Sequence, residues 1–161
     1  MSRPPHVRGA FPWLRSGPIY RIDTAHAADL DAFLTEHDYT RLDLDGTAVT
    51  DRDAAHVLLR DLLRFPEWYG HNWDAFHDSF GGFVHEHDGG RFALVWHDLD
   101  VSARQAPVTT TELGWALLDG AFSHRWPEDG RASVWLDVFA LGSGPDFDRP
   151  VAESVGEPEA D

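Results

Sequence analysis

FPEWYGHNWDAFHDSFGGF, residues Phe65 to Phe83, is the stretch on which the reading of this chain turns. The Asn72 side chain suits a helix N-cap, which makes Trp73 the first helical residue. From there Trp73, Phe76, Phe80 and Phe83 recur at i, i+3, i+7 and i+10 and form one apolar face. Asp74, His77, Asp78 and Gly81 recur at i, i+3, i+4 and i+7 and form another. That second face offers two carboxylates one turn apart, an imidazole between them and no bulky shield. The helix dipole accounts for an acid at Asp74. Asp78 lies beyond the first turn, and acids at i and i+4 repel modestly, so this pair has no local benefit. On residue types alone the default for such a row is a solvated face.

Outward from this helix the periodicities alternate. DRDAAHVLLRDLLRF (Asp51–Phe65) predicts an amphipathic helix with Val57, Leu58, Leu62 and Phe65 on its buried side and Pro66 as its stop. Before it, Thr40–Leu44 predicts a strand turned by Asp45–Gly46. PIYRID (Pro18–Asp23) predicts a short strand. Ala25–Asp38 predicts a helix capped by Thr24, with Ala28, Leu30, Phe33 and Leu34 at helical spacing. Downstream, RFALVWHD (Arg91–Asp98) reads as a central strand and Thr109–Trp126 as a helix from a Thr cap, weakened by Gly114 and Gly120. Ala132–Leu141 reads as the last strand. Strands separated by helices favour a small α/β layer with parallel pairing. The expected organisation is an N-terminal arm over residues 1–17, from which Phe11, Trp13 and Leu14 are available to dock. One domain follows over 18–141, and then an acidic tail over 142–161.

Composition narrows the function classes. The 161 residues are 42% hydrophobic and 12% aromatic, enough for a folded globule with a real core. Acids outnumber bases 28 to 13, a formal charge of −15 that repels nucleic acid and anionic membranes and attracts a basic partner. From Gly144 to the end there are six acids and one Arg, a net of −5, so −10 belongs to the folded part. There is no cysteine, which excludes a disulfide framework and suits the cytoplasm. No apolar run is long enough to span a membrane, and the first residues lack the apolar centre of a secretion signal. No nucleotide-binding glycine loop or basic aromatic patch is present.

Two other motifs carry possible chemistry. LDLDGTAVTD (Leu42–Asp51) resembles the opening motif of haloacid-dehalogenase phosphatases. That resemblance implies Asp43 as nucleophile, Asp45 as the acid serving the leaving group, and Mg²⁺. Such an enzyme needs a balancing base and a Ser or Thr closing a later strand. Neither RFALVWHD nor ASVWLDVF ends that way, and Arg125 or Arg131 would stand in for the usual Lys. The plainer reading is that Asp45 and Gly46 make a turn. His85–Glu86–His87, with His97, has metal-ligand residue types, but solvated loop histidines are the expectation and no metal is assigned.

The Phe65–Phe83 stretch resembles the signature of the barstar family of ribonuclease inhibitors. Pro66, Glu67, Tyr69, Gly70, Asn72, Asp74, Ala75, Asp78, Gly82 and Phe83 fit its pattern without a gap. The resemblance spans about residues 40–138. It implies a barstar-like α/β layer with a core parallel sheet of about three strands, here extended by an N-terminal strand–helix addition. It also implies that the helix and its preceding loop plug a ribonuclease active site. By position, Asp78 becomes the central anion lying where substrate phosphate sits, and Asp74 pairs with a nearby base of the partner. Trp68, in place of the family's usual tyrosine, would stack on a histidine of the partner, and Gly81, Gly82 and Phe83 would pack at the edge. His77 stands where the family carries tryptophan, and the family's further acid on the next helix falls at Gly120, beside Asp119. The expectation is therefore a cytoplasmic inhibitor of a basic, barnase-like ribonuclease. It would be monomeric when free, without cofactor and not itself an enzyme. The rivals are the phosphatase and an acidic adaptor for another basic protein.

Overall fold

The run FALVW has no polar residue to turn toward water, so as a strand it needs cover on both faces. The computed structural model, which describes residues 7–11 and 17–147, provides that cover. Strand β3 (Arg91–His97) lies between β4 (Trp135–Gly142) and β2 (Thr40–Asp45), and β1 (Tyr20–Asp23) adds to the outer side of β4. Every pairing is parallel, in the order β1-β4-β3-β2. The helices are α1 (Val7–Ala10), α2 (Ala27–Glu36), α3 (Arg52–Leu63), α4 (Trp73–Glu86), α5 (Leu99–Gln105) and α6 (Pro107–Ser123). The three-stranded core with an N-terminal strand–helix addition is thus one continuous four-stranded sheet, which β1 and α2 join at the free edge of β4.

The chain lays down the two edge strands first and then fills inward, so its first crossover runs opposite to the next two. Parallel crossovers are right-handed, which sends α2 to one face of the sheet and the later helices to the other. Side-chain alternation agrees. Phe92, Leu94, Trp96, Leu136, Val138 and Ala140 enter the core shared with α3, α4 and α6. Ala93, Val95, Phe139 and Leu141 enter a second core with Leu30, Phe33 and Leu34 of α2. Val7 and Phe11 close that second core, with the Phe11 ring edge-on to Phe33 at 5.1 Å. Trp13 and Leu14 lie outside the described residues. At the other end Phe147 is buried against Gly142, so the chain stays packed a few residues past Leu141. The tail from 148 onward is outside the described residues.

Several local expectations shift, each for a physical reason. Asp23, not Thr24, caps the start of the α2 region, its carboxylate accepting from Ala25 N at 2.8 Å. The Thr24 hydroxyl instead donates to Gly142 O at 3.1 Å and ties this corner to the end of β4. Helix α3 ends at Arg64, in a left-handed conformation, two residues before Pro66. Its buried residues are Ala55, His56, Leu59 and Leu63, while Leu58 and Leu62 only flank the core. Helix α6 starts at Pro107, whose fixed φ suits a first helical position, so Thr109 is inside the helix and not its cap. Helix α5 was not expected at all. Trp96 is fully buried, and its indole N–H donates to Ser102 Oγ at 3.0 Å.

One buried ionic network spans the sheet edge. Asp137, 4% exposed, accepts from Tyr39 Oη at 2.7 Å, Trp135 Nε1 at 2.9 Å and Arg125 Nη2 at 3.0 Å. The Arg125 guanidinium lies 4.1 Å from the centre of the Trp135 ring. Burial, reinforced by the Asp137 charge, pushes the Tyr39 hydroxyl above its ordinary pKa, so it stays a donor. Removing the acid strands a buried cation and two donors. Asp137→Ala is expected to lower unfolding free energy by about 3–5 kcal/mol, read by urea denaturation. A loss below about 1 kcal/mol would show the network to be effectively solvated.

Candidate protein-binding site

Helix α4 is fixed from inside. Asn72 caps it, its side chain accepting from Ala75 N at 2.8 Å. Phe76, Phe80 and Phe83 are buried, and their rings stack in series at 5.6 and 5.7 Å. Trp73 sits at the edge of this face and donates from Nε1 to Glu112 of α6 at 3.1 Å. The opposite face is open to solvent: Asp74, His77 and Asp78 are exposed. Among the described residues no hydrogen bond or ion pair engages the side chain of Asp74 or Asp78.

Asp78 borders a groove of about 390 Å³ between α4 and the segment leaving α3. Leu63, Phe65 and Phe83 supply apolar lining, and Arg64, Trp68 and Glu86 stand at its margin. The Trp68 side chain is 81% exposed, an indole held in water by a short loop. Phe83 is buried at 7% and contributes a groove wall, not a projecting contact. A Cβ added at Gly81 or Gly82 would meet nothing within 4 Å. Neither glycine is demanded by packing within the chain, yet each costs a helix interior about 0.5–1 kcal/mol relative to Ala.

The neighbouring helix completes the face. Gly120 is buried, and a Cβ there would come within 3.0 Å of the Phe80 ring, so this position serves helix packing and presents no acid. Asp119, one residue earlier, is the α6 carboxylate that turns outward, and its Oδ2 lies 3.4 Å from His77 Nε2. Structure therefore groups Trp68, Asp74, His77, Asp78, Gly81 and Gly82 on one surface with the groove. It adds Glu112 and Arg64, which the residue pattern alone did not single out.

The other motifs resolve into structure. Asp43 lies on β2, an edge strand, and is bonded to His97 Nε2 at 2.7 Å and Arg41 Nε at 2.8 Å. Burial raises its pKa, but the hydrogen bonds from His97 and Arg41 outweigh that and hold the carboxyl below its ordinary value. Asp45 caps the short turn Gly46–Ala48, accepting from Thr47 N at 2.9 Å. Gly46 is required because a Cβ would sit 2.1 Å from His97 O. The D-x-D-G-T pattern thus records a capped turn pressed against the end of β3. His85 and Glu86 belong to the last turn of α4, and His87 follows as its C-cap with its ring on Phe83 at 4.4 Å. Among the described residues no group of three or more acidic or histidine side chains is arranged to hold a metal.

The loop that carries Trp68 is pinned by a residue the sequence did not flag. His56 of α3 is fully buried; its Nδ1 is hydrogen-bonded to the Tyr69 hydroxyl at 2.6 Å, and its Nε2 has no partner among the described residues. Burial lowers the His56 pKa below 6.5, helped by Arg52 and His71 and opposed by Asp53 and Glu112. The unfolded chain takes up this proton near 6.5 and the folded chain resists it, so stability is full above that pH and declines as pH falls. His124, half-buried, has its pKa lowered by partial desolvation and acts in the same direction. Urea denaturation should show stability falling from about pH 7.5 to about pH 5.5, with a shallower fall in His56→Gln. Tyr69→Phe, which strands Nδ1, should cost about 1–3 kcal/mol at neutral pH.

A model of the family described as Barstar (barnase inhibitor) matches residues 39–136, well over half of the chain. No curated protein matches it. The matched span runs from just before β2 into β4 and includes α4, the groove and the Trp68 loop, with β1 and α2 outside it. The capped acidic helix falls where the pattern of Phe65–Phe83 places it, the turn where Asp45–Gly46 places it, and the parallel pairing follows the alternation of strands and helices. This chain belongs to the barstar (barnase inhibitor) family.

Proposed function

We propose that this protein inhibits a barnase-like ribonuclease by seating α4 and the Trp68 loop in the enzyme's active site. The observation that carries the reading is Asp78: an exposed carboxylate without an internal partner, on a helix whose other face is locked into the core. A carboxylate so held occupies the position of a substrate phosphate. It makes charge-assisted hydrogen bonds to the bases that would otherwise bind RNA. Little backbone freedom remains to be lost on binding, because the cap and the ring stack have fixed the helix already.

Asp74 adds a second charge on the same side, and Trp68 supplies an apolar, stackable surface beside it. The bare backbone at Gly81 and Gly82 lets a partner approach the helix axis closely. The net charge of −15 accelerates encounter with a basic protein, an effect for which the barnase–barstar pair is itself the reference case. The protein needs no cofactor and turns nothing over. It acts as a monomer forming a one-to-one complex in the cytoplasm, where it guards the producing cell.

The decisive assay is titration of a barnase-type ribonuclease with wild type and Asp78→Ala while RNA cleavage is followed. Wild type should inhibit stoichiometrically. Asp78→Ala should lose about 2–5 kcal/mol of binding, the general cost of truncating one partner of a buried charge pair. Full inhibition by the variant would move the anchor elsewhere, and no inhibition by folded wild type would assign the face to another basic partner.

The glycines give an independent check, because stability and affinity should move in opposite directions. Gly82→Ala should raise thermal stability, by about 0.5–1 kcal/mol, while weakening inhibition. A variant that gained stability and kept full affinity would show that close backbone approach plays no part.

A further inference from the structure

The outer face of α6 is apolar where water should have selected polar residues. Val108, Trp115 and Phe122 are seven residues apart, so they fall within one narrow stripe. Their exposures are 70%, 74% and 63%, while Leu113, Leu117, Gly120 and Ala121 carry the helix's inner packing. Scattered exposed apolar residues need no explanation, but three aligned along one helix form a continuous ridge.

This ridge is contiguous with the α4 face. Glu112 and Asp119, also seven apart, run along its α4 side, and each meets an α4 side chain: Trp73 at 3.1 Å and His77 at 3.4 Å. Packed helices lie about 8–10 Å apart. A standard protein interface covers about 800 Å² on each partner, roughly 30 Å across. A protein seated on Asp74 and Asp78 therefore extends past α4 and over α6. A second copy of this chain is the poorer occupant, since it would set two chains of net charge −15 against one another through faces that each bear Glu112 and Asp119.

We infer that the Val108–Trp115–Phe122 ridge is a second contact of the same inhibitory interface, receiving an apolar patch rimmed by bases on the nuclease that Asp78 anchors. The inference rests on the inhibitor reading of α4. Asp78 supplies charge and Trp115 supplies desolvated area, so the two contributions fail separately. Buried Trp side chains dominate many interfaces, and their loss acts mainly on dissociation.

The test uses the full chain and a barnase-type ribonuclease carrying an inactivating substitution, with Kd and rates measured for wild type, Asp78→Ala, Trp115→Ala and Phe122→Ala. Trp115 is exposed, so its variant should unfold at the wild-type temperature. Trp115→Ala should raise Kd about 30-fold, chiefly through faster dissociation, with a smaller change for Phe122→Ala. If both α6 variants stay within about twofold of wild type while Asp78→Ala weakens, the ridge inference falls and the inhibitor reading stands. If wild type does not bind, both fall. If Trp115→Ala abolishes self-association in sedimentation and leaves nuclease affinity unchanged, the occupant is a second copy and the inference is overturned.

Discussion

Phe80 lying against the bare backbone of Gly120 is the contact on which the arrangement of α4 and α6 depends. A Cβ at Gly120 would meet the ring at 3.0 Å, so the glycine lets α6 draw close to α4. That approach brings Glu112 to Trp73 and Asp119 to His77, and it completes the apolar layer in which Phe76, Phe80 and Phe83 stack. Interiors are close-packed and tolerate little added volume, so one side-chain carbon here would make the Phe80 ring give way by a few tenths of an ångström. The polar outer face of α4 is rigid because its inner face has no alternative position.

The same economy appears at the loop. A loop exposing a tryptophan at 81% needs an internal anchor, and the buried His56–Tyr69 pair is that anchor. The arrangement couples the shape of this loop to the protonation of a core histidine. The D-x-D-G-T turn is equally structural. Asp45 caps it, Gly46 fits beneath the backbone of His97 and Ser102 Oγ donates to Gly46 O at 2.8 Å. A catalytic-looking motif arises from the demands of ending an edge strand against its neighbour.

How much was legible before the structure depended on whether the deciding forces were local. The cap at Asn72, the apolar row of α4 and its opposite acidic row follow from helical period and from hydrogen bonding within four residues, and they stood in the sequence unchanged. The buried side of α3 did not. Its doublets Leu58–Leu59 and Leu62–Leu63 leave the apolar arc free by a helical step, and the sheet and the His56–Tyr69 contact select Leu59 and Leu63. LDVSARQ carries no clear apolar period, so α5 was invisible; it forms after Asp98 turns left-handed and is held through Ser102 by Trp96 and Gly46.

By itself the sequence determined the order of the four strands and of helices α2, α3, α4 and α6, the parallel α/β class, the acidic surface and the row Asp74–His77–Asp78, because each is a matter of period, charge or a short-range cap. Only the tertiary structure decided that β1 extends the sheet beside β4, that Gly120 packs while Asp119 meets His77, and that Trp115 faces water. Those outcomes depend on which faces of distant elements exclude water together. A one-dimensional pattern states that a residue is apolar; burial depends on the neighbours that folding brings to it.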